Sequence, residues 1–517
     1  MALAQSGGEA ARFDAVRHPS QSTSERRPSI YVFQPFQCFL SNIFERSAVD
    51  ALNPLYEAKS QCKTKKTKQT TIGEQMQNEM KLYKDRKGFA RSGPKLGLAL
   101  MASCLASGPA LRADMVTDWN ANTEQALLAT NQGPPVRARS LAIVHTAIYD
   151  AVNGIHPKYT PYFVTERGPR GASEEAAAAQ AAYTALVGLY PAQKAALDLQ
   201  LSNSLATIPV RGGHDHRIDL GQAWGEYVAN QILAWRSTDG AATPLPGYFG
   251  GGAPGVWRSP PAGTNADGTL PALFPQYAIL VPFAMTSHDQ FRPGPPPALT
   301  SALYAADVNE VKAIGRFDST VRTPEQTQLA LLWQAVGSVE ENHAVRPVIE
   351  AYGRELRLVD TARIFALINI VGADALVAGF DSKYTYNLWR PYHAIRLADT
   401  DGNPDTVADP AWDSLFTAPR FQEYMSNHAT LTTAFMNTLA ELLGDEHTFT
   451  LSGTTYPGFT WTFNRFSDAA AQVIEARIWA GIHFRNSCNV GAEQGLKLSR
   501  YVLENFLLPL EDDDEQG

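Results

Sequence analysis

The sequence predicts an all-α fold built from helical bundles, and three observations carry this prediction. Apolar residues recur at helical spacing over 138–152, 173–208 and 218–235. A nearly continuous apolar segment at 359–378 lies among other periodic segments, as the central helix of a bundle does. A Pro/Gly-rich stretch at 239–300 separates the two groups. We therefore expect two helical halves joined by a long irregular arm.

The first 113 residues differ in character from the rest of the chain. Residues 1–79 are rich in Gln, Ser, Thr, Lys and Arg, which predicts a disordered N-terminal extension. Residues 80–113 combine a basic region, a short apolar run and small residues, which is the pattern of a signal peptide with cleavage near Ala113. We therefore expect an exported protein, periplasmic or secreted. The alternative is an apolar patch in a cytoplasmic tail.

The remaining chain divides into four segments. Residues 114–238 form the N-terminal helical half, and 239–300 form the arm, which either shapes the mouth of a pocket or simply connects the halves. Residues 301–510 form the C-terminal half, with helices at 298–314, 323–336, 344–353 and 359–378, and 511–517 are an acidic tail. The segment 359–378 is long enough to cross a bilayer, but the polar residues that interrupt it favour burial in protein.

Composition and charge exclude some classes of protein. The chain has 517 residues, of which 44% are hydrophobic, and this is ample for a large core. A formal net charge of −8 gives no basic footprint for nucleic acid. Of the four cysteines, only Cys488 follows the expected cleavage point, so no disulfide is expected within the mature chain.

Candidate chemistry concentrates between Lys383 and His483. Lys383 and Arg390 are seven residues apart, so a continuous helix would place both cations on one face, with Pro391 stopping or kinking it. Ser426, Asn427 and His428 precede an apolar periodic run, where a helix begins and unpaired N–H groups favour anions. Arg477 adds a third cation and His483 an imidazole. These residue types together predict a pocket for a tetrahedral oxyanion.

The first half offers weaker candidates. Trp119, His145 and Asp150 are each more typical of packing or capping than of catalysis. His214 and His216 resemble a metal-binding pair, but no third ligand is nearby in the sequence, so a solvated turn is the better interpretation.

The order Lys-x6-Arg-Pro, Ser-x-His and Arg-x5-His resembles the vanadium-dependent haloperoxidases and the type 2 phosphatidic acid phosphatases, which share one oxyanion site. The resemblance implies a helical-bundle fold of the vanadium haloperoxidase type and vanadate, or phosphate, as the bound group. It also implies that the oxyanion is held by Lys383, Arg390, Ser426, the backbone N–H of Asn427, and Arg477. His428 would then be the acid/base, and His483 would bind vanadium or attack phosphorus.

Two departures from the family pattern bear on this assignment. Asn427 stands where the family has glycine, and its side chain would either crowd the anion or offer it a donor. Asparagine tolerates left-handed dihedral angles, so the turn can survive. Ser487 stands where the phosphatases commonly have an aspartate, which removes a partner of a histidine and favours the haloperoxidases.

The resemblance leaves three functions open. As a haloperoxidase, the protein would oxidise a halide with hydrogen peroxide to hypohalous acid, with Lys383 polarising the peroxide and a small organic molecule as a possible acceptor. As an exported acid phosphatase, it would form a phospho-His483 intermediate, and His428 would protonate the leaving alcohol. As a non-catalytic binding protein, it would keep only the fold, which Asn427 would support. The absence of several membrane spans, which the lipid phosphatases generally have, favours the haloperoxidase.

Two aromatic residues are candidates for the halide or substrate side of the pocket. Phe421, seven residues before His428, is similar in position to an aromatic residue of the chloroperoxidase loop. Phe380 precedes Lys383 by three residues and would form another wall. Packing in the protein core explains either residue equally well.

Overall fold

A computed structural model describes residues 114–210, 215–260, 270–453 and 458–510. The predicted extension at 1–79, the signal-like segment at 80–113, the tail at 511–517 and His214 lie outside the described residues. Within them the chain forms thirteen α-helices and one short β-hairpin. The predicted all-α fold is confirmed, and the division into domains stays a prediction.

The helices fall into two groups on either side of the arm. The first group consists of α1 (Met115–Leu128), α2 (Pro134–Ile155), α3 (Glu174–Leu189), α4 (Lys194–Ala206) and α5 (His216–Arg236). The second consists of α6 (Ala302–Ile314), α7 (Pro324–Ala335), α8 (Ser338–Ala351), α9 (Leu358–Tyr386), α10 (Pro391–Arg396), α11 (Asn427–Leu443), α12 (Phe466–Trp479) and α13 (Arg485–Asn505). Strands β1 (Phe449–Ser452) and β2 (Thr460–Phe463) pair antiparallel between α11 and α12.

The helix expected over 173–208 is divided in two, which corrects the prediction from periodicity. Ser173 caps α3 by accepting from Ala176 N at 3.2 Å, as its position suggested. The helix ends at Leu189, because Pro191 cannot donate a backbone hydrogen bond and its ring clashes with the preceding turn. A 3₁₀ turn at Pro191–Gln193 then leads into α4. Periodicity alone does not register such a break.

The two halves repeat one arrangement of helices. In the first half α3 packs on α5, in the second α11 packs on α13, and α2 and α9 contact each other between them. The nitrogen of Ser173, before α3, donates to Arg217 O at 2.9 Å, and the nitrogen of Ser426, before α11, donates to Ser487 O at 3.2 Å. Each start is therefore held against its partner helix by an equivalent hydrogen bond.

Paired glycines allow both close contacts. Gly221 and Gly225 of α5 lie against the backbone of α3, and Gly491 and Gly495 of α13 lie against the backbone of α11. A Cβ atom at any of the four would collide with a backbone atom of the neighbouring helix. The matching glycine pairs support a duplicated structural unit, and the candidate cluster of basic residues lies in the second copy.

Helix α9 forms the centre of the molecule. It has a mean hydropathy of 1.7 over its most apolar 18-residue window, and this window is completely buried. Among the described residues it alone is long and apolar enough to cross a membrane. Its burial agrees with the expectation that it is a core helix.

The arm is attached to α9 by a buried carboxylate. Asp374 accepts hydrogen bonds from the backbone nitrogens of Phe283, Ala284 and Met285 at 2.6, 2.7 and 2.8 Å. Burial raises the pKa of Asp374 to about 6, against the opposing effect of these three donors. The arm therefore lies firmly along the helix that ends at the candidate site.

Candidate active site

A hydrogen-bonded chain of three side chains forms the centre of the candidate site. Arg390 Nη1 lies 2.9 Å from His483 Nε2, and His483 Nδ1 lies 2.9 Å from Glu423 Oε1. All three side chains are buried. Arg390 also donates to Phe421 O at 2.8 Å and Ile482 O at 2.9 Å, so its guanidinium joins two separate loops. The sequence-predicted pair Arg390 and His483 is thus in direct contact.

Lys383 is fully buried at the same place, but its amine faces backbone. Its Nζ atom donates to Gln422 O at 3.1 Å, to Glu423 O at 3.0 Å and to Met425 O. An ammonium group has three donors, and here three carbonyl groups accept them. Lys383 therefore holds the loop before α11 in this structure, in addition to placing a positive charge near the site.

Lys383 and Arg390 do not share a helix, which corrects the prediction that they lie on one helical face. Helix α9 ends at Tyr386, because Asn387 adopts the left-handed conformation with φ 53°. Arg390 is extended, as the residue before a proline prefers, and Pro391 begins α10 rather than ending α9. The two cations meet through this turn.

Arg477 and His483 come together through a turn after α12. The helix ends at Trp479, and Gly481 has φ 75°, a conformation that side-chain-bearing residues rarely adopt. The chain therefore reverses, and His483 is not displaced around a continuous helix from Arg477. Arg477 Nη1 donates to Trp333 O at 2.6 Å.

The loop at Ser426, Asn427 and His428 starts α11 as predicted. Ser426 is the N-cap, with its hydroxyl 3.4 Å from Ala429 N. Asn427 is the first residue of the helix and does not have a positive φ, so the glycine of the family pattern is not required for left-handed geometry. A Cβ atom built at Gly379 would overlap the Asn427 side chain, which therefore packs against α9 one turn before Lys383.

Phe421 lies among the cations, whereas Phe380 belongs to the core. Lys383 Nζ lies 5.3 Å and Arg390 Cζ 5.0 Å from the centre of the Phe421 ring, within range of cation–π attraction. Phe380 is fully buried and packs edge-on against Phe421 at 5.3 Å and Phe274 at 5.8 Å. Phe421 is thus a wall of the site, and Phe380 supports it from behind.

Burial and the neighbouring cations favour the neutral form of both histidines. Burial, and then Arg477, Lys383 and Arg390, hold the pKa of His428 well below its ordinary value, and the backbone of Val336 opposes this effect. Burial and the charges of Arg390, Lys383 and Arg477 likewise hold the pKa of His483 well below its ordinary value. A neutral imidazole keeps a lone pair, which a ligand or nucleophile requires.

The three cations repel one another inside the protein. Burial, opposed by Glu423 and Cys488, lowers the pKa of Arg390 to about 10. Burial lowers the pKa of Arg477 to about 9, and that of Lys383 well below its ordinary value, with Arg390 adding to the effect on Lys383. A bound anion would relieve this repulsion.

Glu423 is the site residue that the sequence reasoning missed. Its Oε1 atom accepts from His483 Nδ1 and from Phe484 N, both at 2.9 Å. Burial raises the pKa of Glu423 to about 6, against the opposing effects of the Phe484 N–H group and the charges of Arg390 and Lys383. The presence of Ser487 in place of an aspartate predicts a histidine without a carboxylate partner. The structure corrects this prediction, because Glu423 supplies a carboxylate to His483 from 60 positions earlier in the chain. The sequence signal that could have identified Glu423 is its position shortly before Ser426, Asn427 and His428.

The donors present fit a tetrahedral oxyanion such as vanadate or phosphate. Arg390 Nη2 and Arg477 Nε are buried and have no hydrogen-bond partner in the part of the chain that the structure describes. Such groups are costly to bury, and two charged donors of this kind match an acceptor-rich anion. His483 Nε2, which accepts from Arg390 Nη1 at 2.9 Å, is a lone-pair donor of the kind that suits a metal centre.

The weaker candidates of the first half have structural roles. Asp150 accepts from the backbone nitrogens of Tyr162, Phe163 and Val164 at 2.7 to 2.9 Å, and so holds the loop after α2. His145 and Trp119 are completely buried, and burial lowers the pKa of His145 to about 3. Across the described ranges no group of three or more His, Cys, Asp or Glu residues could hold a metal ion.

Comparisons with known proteins identify relatives with a similar sequence. Residues 363–510 match the family model of the VCPO second helical-bundle domain. A vanadium chloroperoxidase of Curvularia inaequalis is 28% identical over 368 residues, which cover 58% of this chain and 59% of that protein. The match thus spans less than two thirds of the relative's length.

Solved structures show the same fold. The first bacterial vanadium-dependent iodoperoxidase to be crystallised superposes with a TM-score of 0.64 at 22% identity, covering 77% of this chain and 98% of that one. A holo-type bacterial vanadium-dependent chloroperoxidase superposes with a TM-score of 0.61 at 17% identity, covering 76% and 97%. The ordered motifs, the helical architecture and these likenesses agree, and they support a relationship of this chain to the superfamily of the vanadium-dependent haloperoxidases and type 2 phosphatidic acid phosphatases.

Proposed function

We propose that the protein is a vanadate-dependent haloperoxidase that oxidises a halide with hydrogen peroxide to hypohalous acid. The observation that carries the proposal is the contact of His483 Nε2 with Arg390 Nη1 at 2.9 Å, together with two buried guanidinium nitrogens, Arg390 Nη2 and Arg477 Nε, that have no hydrogen-bond partner among the described residues. The chemistry that bound vanadate supplies is activation of hydrogen peroxide for attack by a halide, without a change in the oxidation state of vanadium.

The side chains of the site have separate tasks in this proposal. His483 holds the cofactor through Nε2, while Arg390 and Arg477 neutralise its oxygens. His428, whose lowered pKa favours a ring with a free lone pair, would accept a proton from hydrogen peroxide. Lys383 fixes the loop that carries these groups and contributes positive potential. Phe421 excludes water from one side of the site.

Orthovanadate titration of the apoprotein, followed by an assay of peroxide-dependent bromination and iodination, tests the proposal. We expect activity that depends on vanadate and falls to background in His483→Ala. His343→Ala, which changes an exposed histidine paired with Glu124, is the control and keeps full activity. Vanadate binding without peroxide-dependent halogenation would refute the haloperoxidase.

A soluble phosphatase is the second candidate, and the contact between Glu423 and His483 favours it. A carboxylate that accepts from Nδ1 raises the basicity of the imidazole and orients Nε2, as a nucleophilic histidine requires. In this reaction His483 Nε2 attacks phosphorus as the bond from phosphorus to the leaving alkoxide breaks. The alkoxide takes a proton from His428, which must first be protonated, and the negative charge of the bound substrate favours this protonation. Hydrolysis of p-nitrophenyl phosphate without bromination would select this function, and neither activity would select the non-catalytic binding protein.

Export after cleavage near Ala113 remains part of the proposal and rests on residues 80–113 of the sequence alone. N-terminal sequencing of secreted protein is its test. A mature protein that begins at Met1 would refute it.

A further inference from the structure

Glu423 is joined to the site by both its side chain and its backbone. Oε1 accepts from His483 Nδ1 and Phe484 N at 2.9 Å each. The backbone nitrogen of Glu423 donates to Leu388 O at 2.9 Å, and its carbonyl accepts from Lys383 Nζ at 3.0 Å. One residue thus connects the loop before α11, the turn after α9 and the start of α13.

The two neighbours of the His483 ring determine its tautomer. A carboxylate only accepts hydrogen bonds, so Nδ1 must carry the proton. A guanidinium only donates, so Nε2, 2.9 Å from Arg390 Nη1, must carry the lone pair. The two contacts lie on opposite sides of the ring and require the same tautomer and the same ring orientation.

We propose that Glu423 is a positioning residue that holds His483 in the Nδ1–H tautomer and so keeps the Nε2 lone pair on the side of the ring where Arg390 now donates to it, available to a bound oxyanion that displaces this contact. The identity of the atom that Nε2 then binds rests on the proposed function. A negative charge among Lys383, Arg390 and Arg477 opposes the binding of an anion. The benefit of Glu423 must therefore come through the geometry and basicity of His483.

A purely structural role makes a different prediction. Phe484 is the N-cap of α13 and has no side-chain cap of its own, so Glu423 could serve only to bind the nitrogen of Phe484. In that case the loss of the carboxylate would affect vanadate and phosphate alike. The positioning role predicts a loss of affinity for vanadate but not for phosphate, because vanadate would be bonded to His483 Nε2 whereas inorganic phosphate would be held by charge and hydrogen bonds.

Two measurements on the ligand-free, full-length protein test the inference. Long-range ¹H–¹⁵N correlation of protein labelled at histidine, with signals assigned by their loss in His483→Gln, should show His483 protonated at Nδ1. Isothermal titration should show a dissociation constant for orthovanadate about 10 to 100 times larger in Glu423→Ala, with phosphate bound as tightly as before or more tightly. Glu423→Gln keeps an acceptor for Nδ1–H and should recover part of the vanadate affinity.

Glu341→Gln is the matched control, because Glu341 is also completely buried and its Oε1 accepts from Thr432 at 2.6 Å, outside the proposed site. It should leave both dissociation constants unchanged. Nε2–H in wild-type His483, or equal loss of affinity for both anions in Glu423→Ala, would overturn the inference. If Glu423→Ala does not fold, the tautomer of His483 in the wild-type protein and the vanadate affinity of Glu423→Gln still test the inference. A protein with the Nδ1–H tautomer that does not halogenate would refute the proposed function and leave the positioning role standing.

Discussion

The packing of Asn427 against Gly379 predicts a strong coupling between these positions. A Cβ atom at Gly379 would lie only 3.1 Å from Asn427 Cγ and still closer to its amide oxygen, so Gly379→Ala overpacks the contact. Overpacking of this kind costs about 1–3 kcal/mol. Asn427→Gly removes the obstacle, at a cost of about 0.5–1 kcal/mol for glycine in a helix. The double variant should therefore be about as stable as Asn427→Gly alone, giving a coupling energy of about 1–3 kcal/mol.

Urea unfolding of the four proteins in this cycle measures the coupling. Gly372→Ala is the control on the same helix, since its nearest neighbour, Leu431 Cδ1, lies 3.3 Å from the added Cβ and can move. We expect Gly372→Ala to change stability by less than about 1 kcal/mol. Because Gly379 lies one turn before Lys383, Gly379→Ala should also weaken orthovanadate binding, and Asn427→Gly should restore it. Additive costs in the double variant would refute the packing of Asn427 on α9.

Three further predictions concern buried carboxylates and the anion. Burial raises the pKa of Glu341 to about 7 from 4.5, so the wild-type protein loses stability relative to Glu341→Gln as the pH rises between these values. In urea unfolding, the variant should be up to about 3 kcal/mol more stable than wild type at pH 8 and equally stable below pH 4. Asp374→Ala leaves three backbone N–H groups of the arm without their acceptor, and should cost about 3–5 kcal/mol and increase hydrogen exchange at 283–285. Orthovanadate at 100 times its dissociation constant should stabilise the protein by about 2.7 kcal/mol, measured as a rise in Tm that disappears in Arg477→Ala; equal stabilisation of both proteins would contradict the role of Arg477.

The sequence singled out residues that the structure places close together, but it predicted the local structure around them less well. Arg390 and His483 lie in contact, and Ser426 caps a helix, as the motifs suggested. The prediction that Lys383 and Arg390 share one helical face was wrong, because it assumes a continuous helix and Asn387 ends α9 between the two residues. The β-hairpin was also missed, since strands of four residues give too little alternation to detect.

The sequence by itself determined the helical class, the buried centre of α9 and the ordered set of basic residues, because periodicity and motif order are properties of the chain. Only the tertiary structure decided how these residues are used. It directed Lys383 at three backbone carbonyls, placed Asn427 against Gly379 and brought Glu423 to His483 across 60 positions. The physical reason is that a buried polar group must find its partner in three dimensions, and that partner is chosen by the packing of helices distant in sequence.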